Sequence, residues 1–329
     1  MKSLNFIRIP SGACVAALTV FVAGLASAEE GSPEFDLRGL SSPEAVTKDS
    51  AKPVSWAPGA LPPEEAVKAL MPGDGLAIDL VLADPLIEQP LFLNFDARGR
   101  MWVVQYRQYP HPAGLKIVSR DSVWRNVYDK VPPPPPHSPG SPFRGEDKIT
   151  IHEDTDGDGT YDKTKTFLDG LNMATSLAHG HGGVWVMNPP YLLFYPDKDS
   201  DDLPDGDPIV HLKGFWLEDS HSISNSLRWG PDGWLYGAQG STVSADIIIV
   251  GKDDGAEPIH TQGQQIWRYH PEGRVFETYA EGGGNAFGCE IDEKGRVFSG
   301  HNGGNTRGFH YVQGAYLQKN FGKHGSLSN

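Results

Sequence analysis

Apolar and polar positions alternate in short runs through the middle of the chain, and glycine turns separate the runs. Ser226 to Gly237, SLRWGPDGWLYG, reads as an apolar strand, a Gly-Pro-Asp-Gly turn and an aromatic strand. Proline fixes φ and glycine accepts positive φ, so this turn presets a chain reversal. The same order of residue types recurs in FLNFDARGRMWV, SLAHGHGGVWVM and GCEIDEKGRVFS, with turn glycines at Gly99, Gly183, Gly233 and Gly295. Their spacings of 84, 50 and 62 residues mark an internal repeat.

A second hairpin follows each of the first three copies: DKITIHEDTDGDGTYDKTKTFLDGL, YLLFYPDKDSDDLPDGDPIVHLKGF and QQIWRYHPEGRVFETYAEGG. Two hairpins make a four-stranded unit. Such units in series predict an all-β protein, a β-propeller of four-stranded blades around a central channel. A sandwich of short strands is the alternative. The blades are expected at 91–170, 171–214 and 215–281, with a fourth opening at Gly282. A ring of roughly six or seven blades would then be incomplete here, at about four, and the sequence is expected to be the N-terminal part of a longer protein.

Three segments interrupt this order. LAIDLVLADPL, from Leu76, alternates well enough for a strand that completes the last blade. The insert at 107–147 holds VPPPPPHSPGSP, which cannot pair in a sheet and should run extended and solvated, as a surface excursion or a lid. STVSADIIIVGKDDGAEP is expected as a polar insert within the third blade.

Composition adjusts the picture at the termini. Residues 1–28 read as a secretory signal: Lys2 and Arg8, an apolar stretch, then Ala26-Ser27-Ala28 as a cleavage site. This predicts a periplasmic or secreted protein with no membrane span after cleavage. Residues 29–75 form a Pro-rich mobile leader, with a short helix around PPEEAVKALM, and the propeller occupies 76–329. Of two cysteines, only Cys289 survives cleavage, so no internal disulfide forms. A net charge of −14 excludes a nucleic-acid partner. No CxxCH occurs, so haem c enters only if a C-terminal region outside this chain carries it. GxGxxG after a strand, a P-loop, GxSxG and HExxH are all absent.

The sharpest chemical signal is DTDGDGTYD. Asp154, Asp156, Asp158 and Asp162 stand at relative positions 1, 3, 5 and 9, with the Thr160 carbonyl at 7. Hard cations such as Ca²⁺ take six to eight oxygens at flexible geometry. The spacing returns at Asp197, Asp199, Asp201 and Asp205. Neither copy is an EF-hand, because Lys165 and Pro208 stand at position 12. An acidic solvated turn is the alternative, weighing more on the second copy, where Asp202 replaces a glycine.

Propeller chemistry is expected on segments that enter the innermost strands. These are EDSHSISNS, with His221 and Asn225, and EGGGNAFG, with Asn285. Imidazole titrates near neutrality, so His221 is the candidate base and the two asparagines candidate positioning groups. His179 and His181 in HGHGG read as a solvated turn on the opposite face. His301 and Asn302 are candidates for the channel face. Trp102, Trp185, Trp229 and Trp234 read as blade core, and Arg228 as a pairing residue.

ADPLIEQPLFLNFDARGRMWVVQYRQYP, EDTDGDGTYDKTKTFLDGLN and SLRWGPDGWLYGAQGS together resemble the N-terminal propeller of the membrane-bound dehydrogenases of planctomycetes and verrucomicrobia, also called PVC-type haem-binding CxxCH proteins. That propeller is in turn similar to soluble PQQ-dependent glucose and sorbosone dehydrogenases. The resemblance implies oxidation of a sugar or alcohol, a quinone cofactor (PQQ) and electrons passed to a cytochrome domain. It implies His221 as base, although His221 stands a residue out of register with the family histidine. Gly284 stands where the family has an arginine before Asn285, and Ser241 where it has an acid. A non-catalytic, Ca²⁺-stabilised propeller that binds a polysaccharide or a protein partner is the other reading.

Overall fold

The computed structural model describes residues 61–121, 125–252, 255–300 and 308–317. The signal segment, the leader up to residue 60 and the His301–Asn302 pair lie outside the described residues. The chain divides into two compact units, Met1–Ile78 and Asp79–Asn329. In the first, helix α1 (Pro63–Ala69) forms where the sequence suggests one. Proline in its first turn, Glu64 and Glu65 beside it and Lys68 in the last turn suit the ends of a helix dipole. Among the described residues no helix is long and apolar enough to cross a membrane.

The second unit is built of antiparallel strands. In chain order they are β1 (Pro90–Phe95), β2 (Met101–Gln105), β3 (Ile117–Arg120), β4 (Asn126–Tyr128), β5 (Asp147–Glu153) and β6 (Lys163–Leu171). Next come β7 (Ser176–His179), β8 (Gly183–Asn188), β9 (Tyr191–Pro196), β10 (Ile209–Phe215), β11 (Asn225–Trp229), β12 (Leu235–Gln239), β13 (Ser244–Ile249) and β14 (Ile259–Gln262). The last are β15 (Gln265–His270), β16 (Val275–Glu281), β17 (Glu290–Ile291), β18 (Val297–Gly300) and β19 (Gly308–Tyr311). β1-β2-β5-β6 and β11-β12-β15-β16 are four-stranded meanders. β7 to β10 make a third meander, and β17-β18-β19 a three-stranded sheet.

Successive sheets pack face to face around their first strands, because β1 lies against β7 and β7 against β11. The second sheet is apolar on both faces. In β9, Tyr191, Leu193 and Tyr195 point into a cluster shared with Trp102, Ile149 and Phe167 of the first sheet. Their neighbours Leu192 and Phe194 point the other way, to Leu227, Trp267 and Phe276 of the third. The period-2 alternation thus feeds two cores at once. A third core joins Tyr236, Ala238 and Ile266 to Cys289, Val297 and Tyr311 of the last sheet. This serial packing about the innermost strands is a β-propeller.

Four expectations change. Leu76–Leu86 forms no strand; it finds no neighbour among the described residues, and its larger side chains Leu76, Ile78 and Leu80 stay exposed. STVSADIIIVGKDDGAEP is not an excursion of the third blade. Its Ile247–Ile249 run enters β13, which pairs with β10 and carries β14, widening the second blade to six strands. The Pro-rich insert forms no strand over VPPPPPHSPGSP, as expected, yet Pro132 and Pro135 are buried and the Tyr191 hydroxyl donates to the Pro132 carbonyl (2.6 Å). The turn of the second repeat also sits one residue earlier. His181 and Gly182 take positive φ (58° and 73°), as a tight β-hairpin turn requires. Gly183 begins β8, where a Cβ would stand 2.2 Å from the Tyr195 carbonyl.

Candidate functional site

His221 sits just ahead of β11, on the side of the propeller where chains enter the innermost strands. The turn Asp219-Ser220-His221-Ser222 closes with the Ser222 N–H donating to the Asp219 carbonyl (3.0 Å). This brings Asp219 Oδ1 to 2.7 Å from His221 Nδ1, and the same oxygen accepts the His221 N–H at 3.1 Å. Asp219 Oδ2 accepts the Thr242 hydroxyl at 2.5 Å. Thr242 in turn contacts the Ser222 hydroxyl. Burial raises the Asp219 carboxyl, but Thr242 and His221 outweigh that and hold it below the usual carboxylate range. An ionised Asp219 therefore orders the imidazole by accepting a hydrogen bond from Nδ1–H. Nε2, on the far side of the ring, makes no hydrogen bond among the described residues, and the side chain is 66% exposed. An oriented, accessible imidazole with a fixed tautomer is the arrangement of a general base.

The histidine opens on a cavity of about 460 Å³. Gln89, Leu91, Tyr106, Tyr109 and Phe287 wall it beside His221. Tyr109 meets the His221 ring edge-on, with centroids 5.3 Å apart. Tyr106 also belongs to an apolar cluster with Met173, Ile223 and Val243, against which Leu91 and Tyr109 pack. Asp219, Thr242 and Tyr109 escaped the sequence reading. The Asp-x-His spacing in EDSHS was the one visible signal for the first.

The two asparagines do other work. Asn225 is buried; its Nδ2 donates to the Ile223 carbonyl (2.8 Å) and its Oδ1 accepts the Gly288 N–H (3.2 Å). Asn285 Oδ1 accepts the Ser241 N–H (2.9 Å). Both tie the third blade to the segment entering the fourth, and neither lines the cavity. In this structure the amide oxygen of each serves a backbone N–H group.

The acidic loops lie far along the sheets, at the turns β5–β6 and β9–β10. In each, one carboxylate oxygen from the first three acids gathers within 4.8 Å: Asp154, Asp156 and Asp158, then Asp197, Asp199 and Asp201. Part of the hydrogen-bond plan recurs at the same loop positions, although the first carboxylate accepts the N–H groups of Gly157 and Gly159 in one loop and that of Asp201 in the other. The fifth carboxylate accepts the seventh N–H, from Thr160 (2.7 Å) and from Leu203 (2.9 Å). The ninth accepts the second N–H: Asp162 from Thr155 (3.1 Å) and Asp205 from Lys198 (3.0 Å). Asp162 and Asp205 therefore clasp the loops and stand outside the carboxylate triplets.

The loops differ in charge. Asp202 carries the Arg100 fork (2.7 Å to each oxygen) and Arg98 (3.2 Å), and Lys165 Nζ donates to the Asp201 carbonyl (2.6 Å). Burial, then the neighbouring Asp201, Asp202 and Asp199, raises Asp197. In the first loop Asp154 is lowered by the N–H groups of Gly159 and Gly157.

The opposite-face histidines pack with aromatic rings and do not pair as metal ligands. His179 is half-buried edge-on to Trp102, its Nε2 buried without a partner among the described residues, while exposed His181 packs on Trp229 (4.9 Å). Arg228 pairs with Glu290 (2.8 Å) and lies over Phe92 (5.0 Å).

The fold and this site define a β-propeller with an ordered histidine at one mouth. Over residues 62–327 the chain matches, and belongs to, the family described as Domain of unknown function (DUF7133). No curated protein matches it in sequence. Its fold is similar to the PQQ domain of pyranose dehydrogenase from Coprinopsis cinerea, at 12% identity and TM-score 0.40, covering 70% of this chain and 49% of that one. It is similar to the PQQ-bound aldose sugar dehydrogenase of Streptomyces coelicolor, at 14% identity and TM-score 0.40, covering 69% and 61%. The calcium-binding protein regucalcin from Agrobacterium tumefaciens follows, at 9% identity and TM-score 0.37, covering 68% and 60%. The chain spans 49% to 61% of the length of these three structures. Identities this low speak to fold alone.

Proposed function

We propose that this propeller is dehydrogenase-like: it binds a sugar or small alcohol at the His221 mouth, where His221 takes the hydroxyl proton while the hydride on the same carbon leaves to a diffusible two-electron acceptor, the role the redox dye plays in the assay below. The Asp219–His221 contact of 2.7 Å, with the imidazole exposed to a cavity of about 460 Å³, carries this reading. The aromatic walls suit the apolar face of a sugar ring, and Gln89 and Ser220 offer polar contacts.

A pyrroloquinoline quinone does not fit the described residues. It carries three carboxylates, and none of the side chains lining the cavity is Lys or Arg. Gly284, in place of an arginine, agrees with that. No step is drawn through the quinone, and the cytochrome partner rests on the resemblance. The same shortage of cations favours a second reading, a module that binds a polysaccharide or a protein partner without turnover.

Dye-linked oxidation over a sugar and alcohol panel, with and without added quinone, separates the two. Turnover that vanishes in His221→Ala supports the first reading. Sugar binding with no dye reduction under any condition leaves the second.

Ca²⁺ at the Asp154 and Asp197 loops belongs to the proposal as a structural ion. The triplets supply the hard oxygens it takes. The basic, apolar and small-residue order of residues 1–28 supports a periplasmic or secreted location.

A further inference from the structure

The side chains around His221 come from three parts of the chain. Gln89, Pro90 and Leu91 lie at the start of β1, Tyr106 and Tyr109 follow β2, and Phe287 belongs to the segment that enters the last sheet. Phe287 is 40% exposed, and Leu91 is half-buried beside the same space. Apolar surface left to water in this way is covered favourably by an apolar occupant.

Hydrogen-bonding groups in the lining are few, and several are already engaged. Tyr106 is buried, and its hydroxyl donates to the Ser220 carbonyl (3.3 Å). The Gln89 carbonyl accepts the Tyr106 N–H (2.9 Å). Ser220 is itself buried. Among the described residues the lining includes no Asp, Glu, Asn, Lys or Arg. His221 Nε2 is the acceptor that the structure orients, since Asp219 holds Nδ1 (2.7 Å). A sugar carries a hydroxyl on nearly every carbon. Each one pressed on Phe287, Leu91 or Pro90 gives up its hydrogen bonds to water and gains none in return. A charged occupant finds no counter-charge.

On the reading of His221 as base, we propose that the occupant of this mouth is an uncharged alcohol with one hydroxyl on an aromatic or other apolar body, in preference to a sugar. The hydroxyl meets His221 Nε2, and the body lies against Phe287, Tyr109 and Leu91, which set the preference. In turnover the O–H proton goes to His221, the hydride on the same carbon goes to the diffusible two-electron acceptor, and the product is the corresponding carbonyl compound.

Calorimetric titration of the full chain with benzyl alcohol and with glucose tests the choice, in the wild type, Phe287→Ala and Tyr109→Ala, with melting curves to confirm that each variant is folded. Expected is saturable binding of benzyl alcohol, about tenfold or more tighter than that of glucose, and weakened about tenfold in Phe287→Ala. Glucose bound as tightly as benzyl alcohol overturns the proposal, as does benzyl alcohol binding that neither variant weakens. No saturable heat with benzyl alcohol up to about 50 mM also overturns it. Dye reduction over the same two compounds separates this proposal from the reading of His221. Turnover of glucose in preference to benzyl alcohol, lost in His221→Ala, keeps the base and overturns the apolar occupant. Benzyl alcohol held by Phe287 without dye reduction supports the apolar occupant and overturns the base.

Discussion

Arg100 grips Asp202 through both ends of its guanidinium, Nη1 to Oδ2 and Nη2 to Oδ1, each at 2.7 Å. The pair joins the turn before β2 to the acidic loop after β9, so it ties the first blade to the second. Arg100 Nε also meets Asp96 (2.8 Å), and only 7% of its side chain is exposed. Asp202 holds this position at a φ of 65°. A planar fork that fits a carboxylate this way is not replaceable by lysine.

Removing either partner strands the other in a poorly hydrated place. Arg100→Ala is expected to lower unfolding stability by about 2–4 kcal/mol and Arg100→Lys by about half as much. Urea titration of the two variants, with Asp202→Ala closing a double-mutant cycle, measures the coupling. A coupling near zero would mean that the fork contributes nothing beyond its own desolvation.

Asp219 should matter to rate more than to binding. Asp219→Asn removes the charge that orders the imidazole, so kcat should fall about a hundredfold, within the range of general-base catalysis, while KM changes little. Thr242→Val, which takes away one donor to Asp219, should give a smaller loss in the same direction. An unchanged kcat in Asp219→Asn with turnover still dependent on His221 would show that the pair is structural.

The repeat was readable in the chain because each strand pair carries its own turn and its own alternation. Gly99, Gly233 and Gly295 take the positive φ assigned to them (77°, 79° and 74°). Trp102 and Trp185 lie in the inter-blade cores, as aromatic strand residues should. Pairings between distant segments were not readable. Ile247–Ile249 could have entered any sheet, and only the free edge of β10 decides which. Leu76–Leu86 alternates like a strand but lacks a neighbour. At the mouth, His221 was visible as a residue type. Thr242, which donates to the Asp219 that orients this histidine, lies 23 residues from Asp219 in the chain and reaches the site only through the fold. The asparagines were chosen by place in the repeat, and the structure gives their amides backbone partners, two of them in the neighbouring blade's entry or turn.

Asp147 gives the fold a pH dependence. Its buried carboxyl accepts the N–H groups of Gln108 (2.6 Å) and Ala174 (2.8 Å). Burial pushes it up to about 7, against the pull of those N–H groups. The folded value then exceeds the ordinary 3.8 of the unfolded chain. The folded state holds the proton more tightly, so this contribution is complete below that ordinary value and is lost as pH rises through about 7. Between pH 5 and 8 the wild type should lose on the order of 2–3 kcal/mol more than Asp147→Asn. Equal slopes in denaturation midpoints for the two proteins would rule out the titration of Asp147.

The two acidic loops should answer differently to Ca²⁺ removal. At the second, Arg98, Arg100 and Lys165 already bring positive charge to Asp202 and the Asp201 carbonyl. At the first, Lys163 meets Glu153 rather than a loop acid, and among the described residues no basic side chain pairs with Asp154, Asp156 or Asp158. Asp154, Asp156 and Asp158 therefore depend more on a cation to offset their mutual repulsion. A ligand that binds only the folded state stabilises it in proportion to the logarithm of its concentration over Kd. Saturating Ca²⁺ should raise Tm by about 5 °C over an EDTA-treated sample. Asp158→Asn should remove most of that rise, and Asp201→Asn the smaller part. Identical melting curves with EDTA and with Ca²⁺ would falsify the ion at both loops, and a larger loss in Asp201→Asn would reverse their order.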